Sequence, residues 1–331
     1  FGSSGDVSDG GAVTWGTTVA MSDTMGLSSA SMNINMGGIA TLAYDSGTGG
    51  CGANAVDNIV PTAWEEIDYG FSTGISDVGA VSKSKGVLNL TVKAPVAGSG
   101  FSVSYVSRMS GAHISDGATG SPDGSTGVDV VVDFVDYNAA HFGFRWGMAA
   151  ELEMPGYTCK DQEADMDLDD TPTAALSSCK GKKDDPYAGT TYTKLQLGPL
   201  HLGAQATFKN PQNSGDSAIM NQRSVILGGA LVFGDTLSLS YGEAFDKYRY
   251  NDRNRGHAPN SASGSEHAGT QAKFLGSEEN EYVDVKFRGY SAAINFGPVA
   301  LKATRNAIDG AGENANSSTR KHSEINLSIA F

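Results

Sequence analysis

Apolar and polar residues alternate through most of this chain, and that period of two constrains its fold more than any other feature. The stretch Ser323–Phe331 states it plainly. Ile325, Leu327, Ile329 and Phe331 fall on one side, Glu324, Asn326, Ser328 and Ala330 on the other. Successive strand side chains point to opposite faces, so the stretch predicts a β-strand with one apolar and one polar face. The same rhythm runs through Val13, Trp15, Thr17, Val19 and Met21, through Met32, Ile34 and Met36, and through Ile39–Tyr44. It resumes at Leu88–Val92, Phe101–Tyr105, Val128–Phe134, Phe142–Met148, Leu195–Leu197, Leu200–Phe208, Val225–Phe233, Leu237–Tyr241, Val283–Phe296 and Val299–Leu301. That makes about 14 strands, each near the ~9–11 residues of a tilted membrane-crossing strand. The parity of apolar residues changes near Gly289, which predicts a bulge there.

Composition narrows the alternatives. The chain has 331 residues, 43 of them Gly, and is only 39% hydrophobic. It holds no apolar run of the ~20 residues that a transmembrane helix needs. The beginning, Phe1-Gly2-Ser3-Ser4, has no basic-then-apolar leader, as expected after removal of a signal peptide. Lys and Arg number 23 against 37 Asp and Glu, a net charge of −14, which argues against nucleic-acid binding. The six histidines lack zinc spacing, and neither G-x-S-x-G nor a P-loop occurs, so no enzyme is expected. Cys159 and Cys179 bracket an acidic segment and predict a loop-closing disulfide, with two free thiols the alternative; Cys51 is left over. Asp165, Asp167 and Asp169 begin like a calcium loop. Asp170 stands where that loop needs Gly, and Leu176 where it needs Glu, so a loose Ca²⁺ site or a solvated acidic loop are the readings left.

Two kinds of connection alternate. Short ones are rich in Gly, Pro, Asp and Asn; Gly37-Gly38, Gly198-Pro199, Gly234-Asp235 and Gly297-Pro298 are examples. Long ones are polar: Asp45–Lys85, Met109–Gly127, Glu153–Gly189, Lys209–Arg223, Asp246–Asn280 and Ile308–His322. Tight turns on one rim and long loops on the other is the organisation of a transmembrane barrel, and a soluble sandwich does not need it. Phe101, Phe134, Phe142, Phe208, Phe233, Phe296 and Phe331 lie near turns or strand ends, where aromatic girdles form. Residues 1–331 read as one all-β domain. Within Asp45–Lys85, Pro61–Ile67 predicts a short helix capped by Thr62, with Glu65 at the capping-box position.

This arrangement resembles the general porins of bacterial outer membranes, in particular those of α-proteobacteria. The resemblance covers nearly the whole chain and rests on the order of strands and loops and on a closing strand ending in Phe. It implies a 16-strand antiparallel barrel whose third external loop, after the fifth strand, folds inward and narrows the pore. The pair Ser31–Met36 and Ile39–Tyr44 then precedes the infolding loop 45–85, and the remainder supplies strands six to sixteen. Strand one and most of strand two are expected to be missing from the given sequence. The resemblance further implies a homotrimer in outer-membrane lipid and lipopolysaccharide that passes small hydrophilic solutes. Ala12, Ala20, Ala30 and Ala40 are candidates for small outward residues on a flatter, subunit-facing side.

Parity assigns Lys93, Arg108, Arg145, Lys194, Lys286, Arg288 and Lys302 to the lumen, and the infolding loop offers Asp45, Asp57, Glu65, Glu66, Asp68 and Asp77. Cations facing carboxylates across a constriction set up a transverse field that filters ions. With further acids in the external loop 153–189, the expected channel favours cations weakly. The competing reading, from another class, is a secreted β-rich adhesin or surface-layer domain.

Overall fold

The computed structural model describes residues 2–7, 12–21, 27–45, 52–56, 59–71, 87–93, 98–106, 126–154, 186–210, 219–250, 282–310 and 319–329. They form one antiparallel sheet in which each strand pairs with the next in chain order. Its strands are β1 (Gly2–Asp6), β2 (Val13–Met21), β3 (Leu27–Met36), β4 (Ala40–Asp45), β5 (Val87–Lys93), β6 (Gly100–Val106), β7 (Thr126–Asn138) and β8 (Phe142–Met154). After them come β9 (Tyr187–Leu197), β10 (Leu200–Asn210), β11 (Ile219–Phe233), β12 (Leu237–Tyr250), β13 (Tyr282–Phe296), β14 (Val299–Asp309) and β15 (Arg320–Ile329). β1 stands where the sequence reading expected only the tail of a strand; its GSSGD carries no apolar residue and so no alternation.

The two faces differ as the alternation requires. One exposes large apolar side chains: Met148, Phe142, Leu227, Phe233 and Phe296 are each 45–63% accessible. No water-soluble sheet leaves a belt of this extent uncovered, whereas a barrel in lipid must. The other face meets the segment 52–71, and the buried side chains lie there in two clusters between segment and wall. The core is therefore inside the curl of the sheet. Turn chemistry follows expectation at Gly37 and Gly38, both at positive φ (62° and 75°).

Four expectations are corrected. The register between β12 and β13 and between β13 and β14 runs through Gly289 without a break, so no bulge occurs there. Val285 and Phe287 thus share the inner face with Gly289 and Ser291. Lys286 and Arg288, expected in the lumen, point outward with Tyr290. Register shifts lie elsewhere among the described strands: between Asp133 and Val135, where Phe134 is the extra residue, between Ile219 and Asn221, and between Ala20 and Met21. Pro61–Ile67 is not a helix but an irregular run with bends at 63–65; i to i+3 bonds follow only at its end, from Tyr69 N to Glu66 O and from Phe71 N to Asp68 O. A single 3₁₀ turn stands earlier, at Gly52–Val56. Finally, Ala30 and Ala40 fall on the outer face, but Ala20 shares the inner face with Thr18 and Thr14.

Candidate functional site: a segment bound along the inner wall

A run of glycines prepares the inner wall for close approach. Gly203, Gly228, Gly242 and Gly289 stand directly opposite one another on β10, β11, β12 and β13. The row continues to Asn306 on β14 and His322 on β15. In the other direction it meets Lys194 on β9 and Arg145 on β8. Glycine inside a strand sacrifices packing, and a recurring reason for it is another backbone close by. That backbone is the segment 59–67. A Cβ at Gly203 would lie 2.6 Å from Pro61 Cδ, and one at Gly228 2.6 Å from Val60 Cγ1. At Gly289 it would lie 2.7 Å from Ile67 Cγ2 and 2.9 Å from Ile67 Cα.

Polar wall side chains then hold the segment's main chain. Ala53 N–H donates to Asp129 Oδ2 (2.9 Å). Gln205 serves two groups, its Nε2 donating to Val56 O (2.9 Å) and its Oε1 accepting from Ile59 N–H (3.2 Å). Ser240 and Ser291 accept from Ala63 N–H, and Ser291 also from Trp64 N–H. Asn306 Nδ2 donates to the carbonyls of Glu66 (2.9 Å) and Tyr69 (3.0 Å). Backbone groups that a helix would pair internally are thus met by the wall, which is why the predicted helix does not form. Apolar contacts fill the spaces between: Ala53, Val56 and Ile59 pack on Val131, Ala149, Ala188 and Tyr192. Val60, Ile67 and Phe71 pack on Ile226, Val285, Phe287 and Ile308. Gly52 begins the segment at φ +60°, and a Cβ there would stand 2.3 Å from the Asp129 carboxylate and Ser104 Oγ. The segment ends against β15, with Tyr69 edge-on to His322 at 5.6 Å. A hydrogen bond to Glu324 and that carboxylate's charge raise the pKa of the Tyr69 hydroxyl.

The expected lumenal charges divide accordingly. Arg145 faces inward but makes a two-point ion pair with Asp133 (2.8 and 2.9 Å), under Tyr192, whose hydroxyl donates to the same carboxylate. Lys93, Lys194 and Lys302 are on the inner face by register. Glu65, Glu66 and Asp68 lie on the bound segment; Glu65 and Asp68 are half-buried and Glu66 is exposed. Asp45 ends β4, where its backbone pairs with Ser31 and Val87. Asp57, Asp77 and Arg108 lie outside the described residues, as do Cys159, Cys179, Asp165, Asp167 and Asp169. The side of the lumen formed by β1–β5 is polar and little charged: Thr14, Asn33, Asn35, Thr41 and Thr91 face inward and are exposed or half-exposed. Sequence reasoning missed the glycine row, Gln205, Ser240, Ser291 and Asn306. Glycines of inward parity on four successive strands were the available signal.

No family model matches this sequence, and no curated protein does. Among solved structures, the outer-membrane expressed OmpT of Vibrio cholerae superposes with a TM-score of 0.52 at 10% identity, over 93% of this chain and 77% of that one. The in-vitro folded trimer form of OmpT, described as an outer-membrane protein of the same organism, gives 0.49 at 10% identity over 98% and 86%. With its fifteen-stranded antiparallel sheet, apolar outer belt and segment-lined interior, the chain has the fold of a bacterial outer-membrane β-barrel.

Proposed function

We propose that this chain forms a water-filled channel in the bacterial outer membrane, passing small hydrophilic solutes and ions by diffusion with a weak preference for cations. The observation that carries the reading is how the segment 52–71 is held. It is tied by its main chain to the wall from β7 to β14. That narrows the lumen and leaves the hydroxyl- and amide-bearing wall of β1–β5 facing it. Such a wall replaces hydration hydrogen bonds of passing solutes without trapping one charge type. The resemblance to general porins supports the same reading and adds assembly as a homotrimer, which a mass measurement in mild detergent checks. We read the chain as a conduit and not a catalyst. Among the described residues, the inward set Arg145, Asp133 and Tyr192 is joined by hydrogen bonds of 2.8–2.9 Å within itself.

Planar-bilayer recording of the purified barrel tests this. Stepwise conductance increases in KCl are expected. A folded, inserted protein that leaves the bilayer current at background refutes the channel.

A further inference from the structure

Charge on the outer face is confined to one sector. On β1–β10 no described strand position facing outward carries a charged residue; the charges of those strands, such as Asp129, Asp133, Arg145 and Lys194, share the inner face. On β11–β15 ten outward positions are charged. Seven are basic: Arg223 on β11, Lys247 and Arg249 on β12, Lys286 and Arg288 on β13, Arg305 on β14 and Lys321 on β15. Three are acidic, and each holds one cation: Glu243 pairs with Lys286 (3.1 Å), Asp284 with Lys247 (3.4 Å), and Asp309 with Arg288. Among the described outward positions bases thus outnumber acids in a chain of net charge −14, and Arg305 and Lys321 stand outside these three pairs.

The sector has a definite height. Arg305 stands directly opposite Tyr290, level with the stacked pair Tyr241 and Tyr290, whose rings are 4.7 Å apart, and the other nine lie further toward the rim of long connections. On β8 the outward apolar run extends from Phe142 to Leu152, but on β12 only from Leu237 to Tyr241. At ~3.3 Å per residue these are about 33 Å and about 13 Å along the strand. Polar groups therefore reach further down the wall here than elsewhere. Directly below them a groove of about 520 Å³ opens on the outer face, between Leu200, Leu227, Leu231 and Leu239 and floored by Gly229. Its upper end is Tyr241 and Glu243, and Glu243 is the residue that holds Lys286.

We propose that this sector is a binding site for a phosphate-bearing, acylated lipid of the leaflet on the long-connection side. The groove takes an acyl chain, and Lys286, Arg305 and Lys321 take the phosphates. Charge complementarity and an adjoining groove lined mainly by leucines together select an anionic amphiphile over a protein surface. The inference rests on the membrane-spanning barrel and is independent of channel activity.

The barrel, extracted from outer membranes in mild detergent, is assayed by mass spectrometry for retained bisphosphorylated lipid A against phosphatidylethanolamine. Wild type is expected to retain lipid A selectively, and K286Q/R305Q/K321Q to lose about tenfold of it, with heat-modifiable gel migration unchanged. R305Q/K321Q leaves all three ion pairs in place and reads the same loss if the triple variant does not assemble. L227W, which blocks the groove without altering charge, is expected to weaken retention as well. Equal retention by wild type and the charge variants overturns the proposal, as does equal retention of phosphatidylethanolamine. So does a photo-crosslinker at position 305 that captures a polypeptide, a second copy of this chain included, in place of lipid A.

Discussion

At the scale of single residues, the four opposed glycines are the positions where one atom decides the structure. A methyl group at Gly289 would overlap Ile67 at both Cγ2 and Cα, so a larger side chain must lift the segment off the wall. The strand can accept Gly289→Val, since β-branched residues fit a strand backbone and the register there is regular. The expected outcome is an intact, heat-modifiable barrel with lowered single-channel conductance, because a lifted segment moves toward β1–β5. Gly234 makes the control: it lies at positive φ in an exposed turn with nothing within 4 Å, far from the segment. Gly234→Asn is expected to leave conductance at the wild-type value. Asn306→Ala leaves two segment carbonyls without their donor. At about 1 kcal/mol for each lost hydrogen bond, the segment's end should loosen, read as more frequent closures in bilayer recordings without a change in barrel stability.

At the scale of elements, the strands were legible and the segment's conformation was not, for a physical reason. An outward side must be apolar along every strand in lipid, so alternation survives in β2–β15 and gives their number and order. It fails at β1, where GSSGD has nothing apolar to alternate. It also misleads on β13. There the inner face carries Val285 and Phe287, because these pack on the segment, while Lys286 and Arg288 occupy the outer face. An apolar residue facing the lumen looks, in sequence, like one facing lipid, and the apparent change of parity at Gly289 is this substitution of partners. Pro61–Ile67 had the composition of a helix, but its N–H and C=O groups find partners 177 to 240 residues away on β12, β13 and β14. No local signal encodes that. Gln205, 2% accessible, clamps Val56 and Ile59 at once. Gln205→Ala leaves both groups unpaired in a buried site, a loss of about 1–3 kcal/mol. The segment should then become a site of limited proteolysis between residues 52 and 71 in the folded barrel, with wild type resistant under the same conditions.

At the scale of the whole molecule, the distribution of charge between the two faces sets the expected selectivity. Seven bases were assigned to the lumen from sequence. Two of them, Lys286 and Arg288, are on the outside, and Arg145 is neutralised by Asp133 at hydrogen-bond distance. Lys93, Lys194 and Lys302 remain on the inner face, opposed by Glu65, Glu66 and Asp68 on the segment. Lys209 and Arg320 take inner-face positions as well, so the expected weak cation preference rests on the segment's carboxylates, which sit in the lumen itself, and not on a shortage of bases on the wall. Charges in an aqueous lumen are partly screened, so each contributes modestly and neutralising three should change the permeability ratio by roughly twofold. In a KCl gradient the variant E65Q/E66Q/D68N is therefore expected to shift the reversal potential toward anions while conductance stays within about a factor of two. Lys286→Gln and Arg288→Gln, on the lipid side, should leave the reversal potential where the wild type has it. An unchanged reversal potential in the triple variant would mean that the segment's acids do not face the ion path. A shift in the two outer-face variants would mean that the sheet is traversed with the opposite face to the lumen.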